Sequence, residues 1–156
     1  MAAREHVLMR RIALLLSALL LLAACGKQEA AEPIESTPPT EETTMILRID
    51  GTEVPVTWEE NESVQALSAL APLSIEMSMY GGFEQVGPIG SSLPRNDRQT
   101  TTAPGDLVLY SGNQLVVFYG TNSWAYTRLG HVDLTKAELT ALLSDHDVTI
   151  TLEAEK

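Results

Sequence analysis

PGDLVLYSGNQLVVFYGTNSWAYTRLGHV, residues 104–132, is the stretch that decides the fold. Pro104-Gly105-Asp106 is a turn, since proline presets φ and glycine accepts conformations that side chains resist. Leu107 to Tyr110 is a strand. Ser111-Gly112-Asn113 turns the chain. Gln114 to Tyr119 (QLVVFY) then reads as a strand whose apolar run, unbroken from Leu115, is the mark of cover on both faces. Gly120-Thr121-Asn122 turns it again, and Trp124 to Leu129 returns as a further strand.

Working outward, the same grammar holds on the N-terminal side. Met45, Leu47 and Ile49 alternate on one face, and Asp50-Gly51 follows, the pair that accepts positive φ in a type I′ turn. Val54, Val56 and Trp58 alternate next, so residues 45–58 read as a hairpin. Pro55 cannot donate to a ladder and marks an edge or an outward-facing position. Ser63 to Leu70 has helical spacing, capped by Asn61 or Ser63 and stopped by Pro72. Leu73 to Met79 alternates as a strand. Residues 81–103 are polar and glycine-rich and read as a long loop, a length that compact domains reserve for function or mobility. On the C-terminal side, Leu134 to Leu143 is a helix, with a capping box at Thr135 and Glu138 and a staple of Leu134 on Leu139. Val148, Ile150 and Leu152 form a last strand. About seven strands and two short helices predict a mainly β domain, a small closed antiparallel barrel with a sandwich second. A barrel removes the exposed strand edges that favour aggregation.

The first residues are an address. Arg4, Arg10 and Arg11 precede the apolar run IALLLSALLLL at 12–22 and then Ala23, Ala24 and Cys25. A basic start, a short apolar stretch and small residues before a cut site read as an export signal over 1–24. The run is shorter than the ~20 apolar residues that span a bilayer. Leu22-Ala23-Ala24-Cys25 resembles the bacterial lipobox, which implies cleavage before Cys25 and lipidation of its sulfur. Acyl chains contribute ~0.8 kcal/mol per buried CH2, so the expected product is anchored to the envelope membrane through Cys25. Residues 25–44 are rich in Pro and Glu and poor in bulky apolar groups, a composition for a disordered acidic tether. One domain follows, residues 45–156. The whole chain has 156 residues and a net charge of −11, with 21 acidic against 10 basic side chains. That balance speaks against a nucleic-acid partner, which needs clustered Lys and Arg. A single cysteine excludes a disulfide framework and a Cys-based zinc site.

From Gly81 to Val132 the chain resembles the cyclophilin-like domain family of small bacterial proteins. The resemblance is carried by Gly81-Gly82-Phe83-Glu84, Ser92-Leu93-Pro94-Arg95, Pro104-Gly105-Asp106, Tyr110-Ser111-Gly112-Asn113-Gln114, Phe118-Tyr119-Gly120, Asn122-Ser123-Trp124 and Tyr126-Thr127-Arg128-Leu129-Gly130. The opening hairpin and the first helix extend it to about residues 45–152. It implies a cyclophilin-type β-barrel flanked by helices and no settled activity. Some relatives are joined to flavodoxin-like domains, so a role beside a flavin or redox protein is a third reading. The Phe-His-Arg run of prolyl-isomerase cyclophilins is absent here, which places isomerisation of envelope proteins second to binding.

Tyr126 and Arg128 lie two apart on one strand and so share a face. With Trp124 and with Phe83, Leu93, Pro94 and Arg95 from the long loop, they form the expected pocket for a peptide segment or small molecule. The competing reading pairs Arg128 with an acid such as Asp106 and puts the aromatics in the core. His146, between Asp145 and Asp147, reads as a solvated turn rather than a metal site. Asp106 and His131 lack the nucleophile elbow of a hydrolase, and there is no phosphate loop or dinucleotide fingerprint. The sequence therefore calls for no cofactor.

Overall fold

A computed structural model describes residues 45–155. The readings of the export signal, Cys25 and the tether lie outside the described residues. Mainly β is correct. The elements are β1 (Met45–Ile49), β2 (Thr52–Val54), β3 (Val56–Trp58), α1 (Glu62–Ser68), β4 (Leu73–Glu76), β5 (Ser78–Tyr80), β6 (Glu84–Pro88), β7 (Arg98–Thr101), β8 (Asp106–Tyr110), β9 (Gln114–Phe118), β10 (Ser123–Val132), α2 (Lys136–Leu143) and β11 (Thr149–Ala154).

Two antiparallel sheets face one core. One has the order β2-β1-β11-β4; the other runs β3-β10-β8-β9-β6-β5, with β7 also paired to β10. Neither closes on itself, which corrects the expectation of a closed barrel. The reason lies at two points where the chain changes sheets. Val54 pairs with Leu47 in the smaller sheet, whereas Val56 pairs with Val132 in the larger. Pro55 stands between them without an N–H, so the ladder cannot run through, and its carbonyl accepts from the Asp133 amide at 2.8 Å. The second corner is Met77, whose amide turns to the Val148 carbonyl at 2.9 Å. It separates β4, paired with β11, from β5, paired with β6. Strands that switch sheets at bends are how packed sheets make corners.

The strand expected over Leu73 to Met79 is thus two strands. The segment 81–103 is also not one loop, because β6 and β7 lie within it. β6 escaped a pattern reading because its residues, EQVGP, offer no apolar alternation.

Leu47, Ile49, Ile75, Ile150 and Leu152 from the smaller sheet meet Leu107, Leu109, Leu115, Val117 and Leu129 from the larger in a single cluster. Val64 and Leu67 of α1 and Leu139 and Leu143 of α2 are fully buried in the same cluster. Asn61 caps α1, its side chain accepting from the Val64 amide at 3.0 Å. The capping box of α2 is present: Glu138 accepts from the Thr135 amide at 2.8 Å, and Thr135 from the Glu138 amide at 3.3 Å. Such a cap contributes ~1 kcal/mol.

Asp50 and Gly51 both hold positive φ, 48° and 80°, as the type I′ reading requires. Gly105 is constrained more tightly. Its φ is 98°, and a Cβ there would sit 2.7 Å from both the His131 ring and the Val132 carbonyl. Only glycine lets this turn pass so close under the end of β10.

Candidate functional site

Period-two alternation sends every second residue of the larger sheet away from the main core. On β8 and β9, Val108, Val116 and Phe118 point outward and are buried nevertheless. With Tyr126 they form a second apolar cluster, against which Phe83 and Val86 pack. The continuous apolar run at 115–119 is therefore covered on both faces, as expected.

The rings interlock. Phe83 stacks on Phe118 with 6.5 Å between centroids, and Phe118 meets Tyr126 edge-on at 5.7 Å. Tyr126 meets Tyr110 edge-on at 6.1 Å. Edge-to-face contacts of this kind stabilise by ~1 kcal/mol beyond their buried area and fix ring orientation.

A cavity of about 390 Å³ opens on this outer face. Val86 and Val116 form its floor, and Tyr80, Tyr110, Trp124 and Tyr126 its walls. Glu84, Gln114 and Asn122 supply polar groups. Register explains the assembly: Glu84 sits opposite Phe118 on β9 and opposite Tyr80 on β5. Asn122 donates to the Tyr126 hydroxyl at 2.9 Å.

Glu84 is the unusual member. It is 6% exposed, and among the described residues its Oε2 has no hydrogen-bond partner. Burial raises its carboxyl to about 7. The Tyr126 phenol is pushed up by burial and then by the charge of Glu84, with the Asn122 bond opposing. A buried charge without a partner is costly, so the carboxyl holds its proton to higher pH than an exposed one would.

A second cavity, also about 390 Å³, lies between α1, the segment 94–100 and β10. Pro94, Arg95, Tyr126 and Arg128 all line it. Two of its charged side chains, Arg128 and Arg95, are paired within the chain. Arg128 donates to Asp106 Oδ1 at 3.2 Å and to Glu59 at 3.2 Å. Arg95 lies 3.6 Å from Asp97. Thr127 donates to Asp97 at 2.7 Å and accepts from the Asn96 amide at 2.8 Å.

Asp106 is the hub. It accepts from the Ala103 amide at 2.9 Å and lies 3.0 Å from His131 Nδ1 as well as beside Arg128. Burial pushes its carboxyl up, but the Ala103 amide, His131 and Arg128 more than reverse this and hold it below the ordinary carboxylate range. His146 sits 2.9 Å from Asp50, and Asp147 accepts from the Met79 amide at 2.8 Å.

The seven residues expected to form one pocket are thus divided. Trp124 and Tyr126 line the outer cavity, with Phe83 packed beneath. Pro94, Arg95, Tyr126 and Arg128 line the other. Leu93 is 8% exposed in the main core. Tyr126 alone touches both cavities. The pairing of Arg128 with Asp106, the competing reading of that side chain, is what the structure contains.

Comparison with known proteins fits this architecture. The pattern of the cyclophilin-like family matches residues 47–153. The chain belongs to that family. A structure of McbB in complex with tryptophan resembles this cyclophilin-like domain with a TM-score of 0.51 at 13% identity. The match covers 72% of this chain and 45% of that one, so it spans under half of the McbB chain and shows the fold alone. The sequence finds no match among curated proteins.

Proposed function

We propose that this chain is an exported lipoprotein whose cyclophilin-like domain is a ligand-binding module, with its site on the outer face of the larger sheet. The observation that carries the reading is the outer cavity with Glu84 at its base. Its apolar floor and aromatic walls supply buried area, and its polar groups are few, the usual make-up of a small-molecule site. The second cavity competes less well, since Arg128 and Arg95 already have carboxylate partners and its lining holds a single aromatic ring, Tyr126. Arg128, held by two carboxylates, has little left to offer a prolyl amide, which supports binding ahead of isomerisation. The tryptophan of McbB is an aromatic small molecule of a size that suits such a cavity and makes a sensible first compound in a screen.

The test is thermal shift of the full-length chain against small aromatic compounds. A compound seated in the outer cavity raises the melting temperature with concentration. Trp124→Ala should weaken that effect about tenfold or more, and Arg95→Ala should leave it intact. The opposite pattern places the site in the second cavity and overturns the reading. The anchor has its own test: Cys25→Ser should move the chain from the membrane to the soluble fraction. A variant that stays with membranes rules out attachment through that sulfur.

A further inference from the structure

Resting on the same cavity, we infer that its ligand is a small organic cation, an ammonium group on an apolar or aromatic body, with the charge set against Glu84 inside the walls of Tyr80, Tyr110, Trp124 and Tyr126. Four aromatic side chains around one space are the arrangement that attracts a cation, because each ring face carries negative quadrupole density. Trp124 is 57% exposed and Tyr80 66% exposed. Large aromatics left in water at a cavity mouth have area still to bury on a ligand.

Glu84 fixes the sign of the charge. Its carboxylate lines the cavity, and that negative charge would be answered by an N–H donor, and by a positive one most strongly. Among the described residues the other titratable groups lining the cavity are the phenols of Tyr80 on β5, Tyr110 on β8 and Tyr126 on β10. Among the described residues no Lys, Arg, His or second carboxylate lines it, so none of them competes for Glu84 or repels a cation there. An anionic ligand would meet the carboxylate and the net negative charge of the chain. A bare metal ion is a poor fit, since one carboxylate with amide and phenol groups makes a weak ligand set and leaves the valine floor unused.

A permanent cation would draw the proton off Glu84 as it binds. Near neutral pH, binding then releases a proton, and affinity rises with pH until the carboxyl is fully ionised.

The experiment is calorimetric titration of the full-length chain with benzyltrimethylammonium, 2-phenylethylamine and the neutral isostere 2-phenylethanol. At about pH 8 both cations should bind at least roughly tenfold more tightly than the alcohol. Glu84→Gln should remove that advantage, lowering the affinity for both cations at least roughly tenfold. Titration of benzyltrimethylammonium in buffers of different ionisation enthalpy near pH ~7 should report release of about half a proton, absent in Glu84→Gln. If the alcohol binds as well as the cations, or Glu84→Gln leaves the cation affinity intact, the charge assignment is wrong while the cavity remains the site. If none of the three probes binds at millimolar concentration, the cavity reading falls and this inference with it.

Discussion

Glu84→Gln raises the melting temperature of the ligand-free protein by roughly 10 °C at about pH 8 and hardly changes it at about pH 4. In the folded chain the Glu84 carboxyl is raised to about 7 from an ordinary 4.5, with burial as the cause. A proton therefore binds the folded state more tightly than the unfolded one. The stability this gives is complete below the unfolded value and is lost as pH climbs through the folded value. Above that range the buried charge costs roughly 3 kcal/mol, at ~1.4 kcal/mol per unit of displacement. Glutamine has the shape of the protonated acid and never ionises. The variant should match the parent in mild acid and exceed it in mild alkali. Melting curves across that range decide the matter. Parallel curves for the two proteins would mean that water already solvates the carboxylate, which removes the physical basis for an unmet charge in the cavity.

The same residue shows what was legible in the sequence. The strands of residues 104–132 follow from apolar runs cut by glycine, asparagine and proline, and they lie where those signals put them. Both helix caps were legible too, since Asn61 and the Thr135–Glu138 pair act through short-range chemistry. Closure was not legible. It depends on Pro55 and Met77, where one alternating run serves two sheets, and alternation along a strand says nothing about which neighbour it pairs with. The cavity was half legible. Trp124, Tyr126 and Arg128 do alternate on β10, and Trp124 and Tyr126 do line the outer cavity. Tyr80 and Glu84 join them only through the pairing of β5, β6 and β9, and β6 has no apolar pattern to betray it. One hint was present: an apolar run with no polar face means the outer side of β9 is also covered, which points to a second apolar surface.

Asp106→Ala should cost roughly 3 kcal/mol at neutral pH, read as a fall in the urea midpoint with an unchanged slope. Asp106 is 4% exposed and gathers three partners from three places: the Ala103 amide, Arg128 and His131. Removing it leaves the amide unpaired in a tight turn and strips Arg128 of its more buried partner, while Glu59 remains. An uncompensated group in that setting is more expensive than the interaction it lost. Arg128→Met should cost less, about 1 kcal/mol, because Asp106 keeps the Ala103 amide and His131. The pH signature has the opposite sign to that of Glu84. The folded Asp106 carboxyl lies below its ordinary value, so its contribution is present above that value and is lost as pH falls through the folded one. The gap between parent and Asp106→Ala should therefore narrow in strong acid, in the range where Glu84→Gln makes no difference. Equal loss for Asp106→Ala and Arg128→Met would locate the energy in the ion pair alone. The larger loss for Asp106→Ala ties it to the hub, which fastens the end of the 81–103 segment to β10 and so holds β7 against the strand that presents Trp124 and Tyr126 to the outer cavity.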